Sequence, residues 1–225
     1  MTTKVQITSE AVLDRLVAVV WGLPWLEILA EAWKVGLKLW NGMAHEGMYE
    51  VLEHVATLEL QDKNGKKAMV RKRQKVRYLQ NNIIAFQDQA WGDGEILINY
   101  RCTPGTVVDR YRPGLKTYIL ISLRETKHRG DVDDFNIQWG IRNGFLRKTE
   151  LLETEISHKT RQLTIRVFFP EDRPPKRAWI IESLRRRRQL LGKNTQVRMR
   201  DGRWLVSWET KKPRLNERYQ LQWEW

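Results

Sequence analysis

Residues 55–79, VATLELQDKNGKKAMVRKRQKVRYL, decide the fold class that the sequence predicts. Apolar and polar residues alternate over 55–60, which is the period of a half-buried strand. The turn residues 62–65, Asp-Lys-Asn-Gly, contain the Asn-Gly pair that is a strong hairpin signal. Residues 68–79 alternate again, so the sequence predicts a β-hairpin.

The register of this hairpin depends on the length of its loop. With a two-residue loop, Leu58 would face Arg71 across the ladder. One additional loop residue places Leu60 opposite Val70. Glu59 then lies opposite Arg71, so we expect a bulged or longer turn with these two residues as direct neighbours.

The return strand carries a row of positive side chains on one face, and residues 185–188 form a second basic cluster. Guanidinium groups at this density suit phosphate oxygens, so the sequence predicts an anionic partner, nucleic acid or anionic lipid. The alternative is a solvated face paired with acids such as Glu53 and Glu59. The candidate anion-binding residues are Arg71, Arg73, Lys75, Arg77, Arg185, Arg186, Arg187 and Arg188.

Further short strands, separated by Gly and Pro turns, predict an antiparallel β-sandwich. They are expected at residues 82–86, 95–100, 117–123, 136–141, 162–169, 177–184, 197–199, 203–208 and 219–225. For residues 178–192 a helix that ends at Gly192 is the alternative to the strand over 177–184. The pattern DGEILINYR at 93–101 is echoed by DGRWLVSWE at 201–209. The echo predicts two related, immunoglobulin-like units at 48–126 and 127–225, with one sandwich over 48–225 as the alternative.

Residues 1–47 predict a helical hairpin or kinked helix, which makes the fold class α+β and mainly β. In residues 25–43, WLEILAEAWKVGLKLWNGM, the polar residues recur at steps of 4, 3, 4 and 3 and form one narrow stripe. The wide apolar face predicts docking to a protein partner, self-assembly, a membrane surface or packing in the chain's own core. The acidic half of the stripe favours protein over lipid. The predicted docking residues are Trp21, Trp25, Leu29, Trp33, Leu37 and Trp40.

The charge of the chain belongs to its β region. The net charge is +13, although residues 1–47 carry four basic and five acidic side chains. The single cysteine, Cys102, excludes an internal disulfide, and the sequence shows no secretory leader and no apolar run of about 20 residues. We therefore expect a cytoplasmic protein, with a peripheral membrane position as the alternative.

Catalytic signals are missing from the sequence. The histidines lack metal-ligand spacing and are expected on the surface or in turns, and Asp131, Asp133 and Asp134 are expected in a solvated loop. No phosphate-binding glycine loop, nucleophile elbow or zinc-protease motif occurs, so we expect no catalytic residue, metal or cofactor. The histidines are His45, His54, His128 and His158.

Two functions follow from these patterns, and an enzyme whose site is assembled only in space is a third possibility. The first is a non-enzymatic interaction or effector protein that works through its Trp-rich N-terminal helix, carried on a basic β-sandwich. The alternative is a nucleic-acid-binding module that uses the basic strand faces of the β region.

Overall fold

The computed structural model describes residues 47–225. The regular secondary structure of this part of the chain is strand, apart from a single turn of 3-10 helix at Lys193–Thr195, which confirms the mainly β class. None of the helices among these residues is long and apolar enough to cross a membrane. The predicted N-terminal helices lie outside the described residues. So do their docking residues Trp21, Trp25, Leu29, Trp33, Leu37 and Trp40.

Fourteen strands form three sheets within residues 47–225. The strands are β1 Tyr49–Leu60, β2 Lys67–Tyr78, β3 Ile83–Ala90, β4 Glu95–Thr103, β5 Thr106–Tyr111, β6 Thr117–Lys127, β7 Val132–Arg142, β8 Thr149–Glu155, β9 Gln162–Phe169, β10 Arg177–Glu182, β11 Arg187–Leu190, β12 Gln196–Arg198, β13 Trp204–Lys211 and β14 Arg218–Glu224. The large sheet has the order β12-β13-β9-β1-β2-β7-β4. A four-stranded sheet, β11-β10-β14-β8, and a three-stranded sheet, β3-β6-β5, complete the fold.

Strands from both predicted units pair within the large sheet, since β2 is hydrogen-bonded to β7. The pairing is not purely antiparallel as predicted, because β1 and β9 run parallel. A parallel pair requires a long crossover, and here the crossover is the whole chain between them. The immunoglobulin-like character of the two units stays a prediction.

The first hairpin has a longer loop than two residues, but its predicted register is wrong. Leu58 pairs with Val70, and Glu59 pairs with Met69 rather than with Arg71. Asp62 causes the shift, because its carboxylate accepts hydrogen bonds from three backbone N–H groups at 64, 66 and 67. This acceptor stabilises a five-residue loop and keeps apolar side chains opposite each other.

Both small sheets pack on the same face of the large sheet. Phe86 of β3 stacks on Phe135 of β7 with ring centroids 4.0 Å apart, and Phe169 of β9 meets Trp223 of β14 edge-on at 5.5 Å. Phe135 and Phe169 project from one face of the large sheet, because the register of the strands places Phe135 in line with Leu163 and side chains two residues apart share a face. The contacts join all three sheets into one apolar core.

Two predictions about polar residues are wrong. His54 is buried in β1 rather than exposed, and burial together with the nearby Lys72 charge lowers its pKa to about 3. Asp133 and Asp134 lie in β7 rather than in a solvated loop. Asp133 accepts a hydrogen bond from the Tyr78 hydroxyl at 2.9 Å, so it is part of the fold.

Ile165→Ala should lower the free energy of unfolding by about 2–5 kcal/mol, because Ile165 is fully buried on the inner face of β9. The matched control is Arg166→Ala, which changes the exposed neighbour on the outer face of β9 and should cost less than about 0.5 kcal/mol. Urea unfolding measures both values. Equal costs for the two variants would contradict the assigned faces.

Candidate functional site

A cleft of about 320 Å³ lies where the two small sheets meet above the large one. Its sides include β3 and β8, and each of these is the edge strand of its own sheet. Its floor is the inner face of the large sheet. The main apolar lining residues are Ala56, Val70, Trp139, Ile141, Phe145 and Leu152. A concave, largely apolar site with a few polar groups is the usual form of a ligand-binding pocket.

Strand β8 leaves one backbone edge without a partner strand in the described part of the chain. The N–H of Trp225 donates to the carbonyl of Lys148, and the N–H of Ile156 donates to the carbonyl of Glu217. In an antiparallel pair such hydrogen-bonded positions alternate, so the even-numbered residues of β8 bond to β14. The backbone groups of the odd-numbered residues therefore point away from β14.

Glu150 is the buried acid of the cleft, with 8% of its surface exposed. One carboxylate oxygen, Oε1, accepts the backbone N–H of Arg147 at 2.6 Å. Among residues 47–225, no Lys or Arg forms an ion pair with Glu150, and Oε2 has no hydrogen-bond donor. Burial raises the pKa of Glu150 above its ordinary value, because the charged form loses hydration.

Side-chain bridges close one end of the cleft. Glu153 accepts hydrogen bonds from the indole N–H of Trp91 at 3.0 Å and from the amide of Gln220 at 2.5 Å. Lys116 pairs with Glu155, and the amide of Gln89 donates to Ser157 at 2.9 Å. The bridges from Trp91, Lys116 and Gln89 tie the three-stranded sheet to β8 beyond Leu152. The open part of the edge is therefore the beginning of β8.

Lys72 lies on the cleft floor, but its charge is matched. Its ammonium group lies 2.9 Å from Asp88 and donates to the carbonyl of Gln89 at 2.5 Å. Asp88 also accepts the hydroxyl of Tyr100 at 2.9 Å, and the Lys72 ammonium lies 4.9 Å from the centre of the Trp139 ring. This network fixes the floor of the cleft.

Cys102 is poorly suited to nucleophilic chemistry. Burial and the charge of Asp88 raise its pKa to about 12, so the thiolate is strongly disfavoured. Within residues 47–225, no three His, Cys, Asp or Glu side chains are grouped to hold a metal ion.

The basic residues predicted on β2 lie together on the outer face of the large sheet, and most of them have acidic partners. Arg71 pairs with Glu59 at 2.5 Å. Arg73 pairs with Asp134 at 2.6 Å and with Glu53 at 3.5 Å. Arg77 pairs with Glu50. Lys75 is the member of this row with no ion pair in the described part of the chain. Binding of an anionic partner on this face stays a prediction.

The second basic cluster is not brought next to the first. Arg185 and Arg186 lie in the turn between β10 and β11, and Arg187 and Arg188 begin β11 in the four-stranded sheet. Arg188 stacks over the Trp179 ring, with 4.3 Å between the guanidinium carbon and the ring centre. The two clusters therefore belong to different sheets.

No protein-family model matches the sequence, and no curated protein matches it. Among solved structures, the chain is similar to the M1 zinc metallopeptidase from Deinococcus radiodurans, with 11% identity and a TM-score of 0.44. That match covers 78% of this chain and 42% of the other. A two-domain M1 zinc metallopeptidase bound to L-tryptophan gives 11% identity, a TM-score of 0.44, and coverage of 79% and 43%. The chain thus spans less than half the length of these proteins.

These neighbours are peptidases rather than non-enzymatic effectors. They contradict the predicted function of a non-enzymatic interaction or effector protein that works through an N-terminal helix, so that prediction is wrong. Because the TM-scores and identities are this low, the peptidase activity belongs to those proteins and does not carry over to this chain.

Asp88→Ala should lower the free energy of unfolding by about 3–5 kcal/mol, because it leaves the half-buried Lys72 ammonium without its carboxylate. The double variant Lys72→Met/Asp88→Leu removes both charges and should cost less than Asp88→Ala alone. Urea unfolding distinguishes them. A double variant less stable than Asp88→Ala would contradict the assigned ion pair.

Proposed function

We propose that residues 47–225 form a ligand-binding domain whose cleft takes a primary amine with an apolar body. The observation that carries this proposal is Glu150, a buried carboxylate that lines the cleft without a cationic partner among the described residues. A buried charge is costly unless it is paired, so the cleft favours a ligand that supplies the missing cation. The proposed role of the cleft is binding.

The cations at the cleft do not substitute for such a ligand. Lys72 is paired with Asp88, and Arg147 lies 3.2 Å from Asp93 on the exposed rim. The backbone N–H of Arg147, rather than its guanidinium group, bonds Glu150. Arg147 and Arg173 act on Glu150 only through longer-range attraction, which lowers its pKa, so within residues 47–225 the carboxylate still lacks an ion-pair partner.

The apolar lining supports a ligand with an apolar body beside its ammonium group. Trp139 and Phe145 supply flat surfaces, and Ile141 and Leu152 fill the spaces beside them. Burial of an apolar group contributes about 25 cal/mol for each Å² removed from water. An ammonium group alone lacks this contribution and should bind more weakly.

Phenethylamine is the probe for this proposal, and isothermal titration calorimetry is the measurement. The wild-type domain should bind phenethylamine, and Glu150→Gln should weaken binding by about 10- to 150-fold, the equivalent of about 1.5–3 kcal/mol for a hydrogen bond to a charged group. The matched control is Glu209→Gln, which changes an exposed acid on β13 away from the cleft.

Phenylacetate supplies the opposite charge on a similar apolar body and should bind more weakly than phenethylamine. Unchanged phenethylamine affinity in Glu150→Gln would overturn the proposal, as would tighter binding of phenylacetate.

Phenethylamine affinity should increase as the pH rises through the titration of Glu150. The pKa of this carboxyl is raised, so below it Glu150 is neutral and attracts no cation. The amine stays protonated at every pH below about 8, so a change in affinity at lower pH belongs to the protein. Glu150→Gln should show a flat profile. A wild-type profile that is flat or falls with pH would contradict the role of Glu150.

A further inference from the structure

Building on the proposed function, we infer that the ligand's amine is a lysine side chain of an extended peptide, which binds as an added strand on the free edge of β8. The added strand lies along Thr149–Leu151, where the cleft is open. Main-chain hydrogen bonds to an exposed edge supply affinity in this mode of recognition, and side-chain pockets supply specificity.

The direction of the β8 backbone groups is the first observation. The bonds at Lys148 and Ile156 place the even-numbered residues in hydrogen-bonded register with β14. The N–H and C=O groups of Thr149 and Leu151 therefore face the open side. No other backbone group in residues 47–225 bonds to them. Backbone donors and acceptors seek partners, so this edge is a template for one more strand.

The position of Glu150 is the second observation, and it agrees with the first. On an added antiparallel strand, the residues opposite Thr149 and Leu151 exchange backbone hydrogen bonds with them. The residue opposite Glu150 occupies a non-hydrogen-bonded pair, in which side chains approach most closely. A lysine at that position lies on the inner face beside the Glu150 carboxylate, with which no Lys or Arg of residues 47–225 forms an ion pair.

The bridges across the cleft limit the length of the added strand. Trp91 bonds Glu153, and Lys116 bonds Glu155, so side chains from the three-stranded sheet cross the edge beyond Leu152. The accessible edge is therefore about three residues long, which matches the sequence X-Lys-X with the two outer residues making the backbone bonds.

A free edge alone does not identify a ligand, because every open sheet has two free edges. At β8 the free edge is joined to a cleft and to Glu150, a residue that is more than nine-tenths buried. The three features meet at Glu150 and its two neighbours. They favour an extended basic peptide over a free amine, which would leave the backbone groups of Thr149 and Leu151 unpaired.

The probe is Ac-Val-Lys-Val-NH2, whose blocked ends leave the lysine as its amine. Calorimetry should show tighter binding than for phenethylamine. In the antiparallel arrangement the first valine lies opposite Leu151, and its N–H donates to the Leu151 carbonyl. N-methylation of this valine should weaken binding roughly fivefold or more. Replacement of lysine by norleucine should weaken it by about tenfold or more, because the ammonium group is lost.

Two variants separate the Leu151 backbone from its side chain. Leu151→Pro removes an N–H that the ladder to β14 does not use, and proline is tolerated at such edge positions. Leu151→Ala removes the side chain and keeps the N–H. Leu151→Pro should bind the peptide at least about fivefold more weakly than Leu151→Ala. The effect of N-methylation should also be smaller in Leu151→Pro, since both changes act on one backbone pair.

The outcomes distinguish the two proposals. If wild type binds phenethylamine but binds the N-methylated peptide as tightly as the parent, strand addition is wrong and the amine site stands. If wild type binds neither phenethylamine nor the lysine peptide, the proposed function itself fails. Equal peptide affinity in Leu151→Pro and Leu151→Ala also overturns strand addition. Should Leu151→Pro fail to fold, the N-methylated peptide on wild type decides the question.

Discussion

The packing of two separate small sheets on one face of the seven-stranded sheet is the constraint on which the rest of the described structure depends. The Phe86–Phe135 stack anchors the three-stranded sheet, and the contact of Phe169 with Trp223 anchors the four-stranded one. Each small sheet is held by its own aromatic contacts, and within residues 47–225 no strand of one is paired with a strand of the other. Their edge strands β3 and β8 therefore meet above a shared apolar floor, and the cleft lies between them.

Strands with strong local signals were predictable from sequence, whereas the candidate site was not. Strand β9 has the predicted bounds, because its run QLTIRVFF is rich in β-branched and aromatic residues. Strand β8, TELLETE, was missed because its two adjacent leucines interrupt the alternation and three glutamates favour exposure. The pairing that buries Glu150 beside Trp223 involves β14, which lies about seventy residues further along the chain. The sequence pattern within β8 contains no information about such a distant contact.

The basic residues of β2 also show that a local sequence pattern omits contacts with residues that are distant in the sequence. Local sequence shows a row of positive charges on one strand face, and the structure places them there. The partner of Arg73, Asp134, comes 61 positions later, on β7. Exposed ion pairs of this kind contribute little to stability, about 0–1 kcal/mol, but they reduce the charge available to an anionic partner. The density of cations in a sequence is therefore an incomplete guide to an anion site.

The charge on Glu150 costs the folded protein free energy, as its raised pKa indicates, whereas the buried acids Glu50 and Asp88 form ion pairs with basic side chains. Glu50, for example, is buried, yet hydrogen bonds from Arg77 and Arg161 outweigh the effect of burial and hold its pKa below the ordinary value. The fold thus places guanidinium groups in direct contact with Glu50, whereas Arg147 and Arg173 attract Glu150 without forming an ion pair with it. Proteins commonly sacrifice stability in this way at binding sites, because a preorganised, unmatched group gains its partner only when the ligand arrives. The contrast between Glu50 and Glu150 is the reason for seeking the function of this domain at the edge of β8.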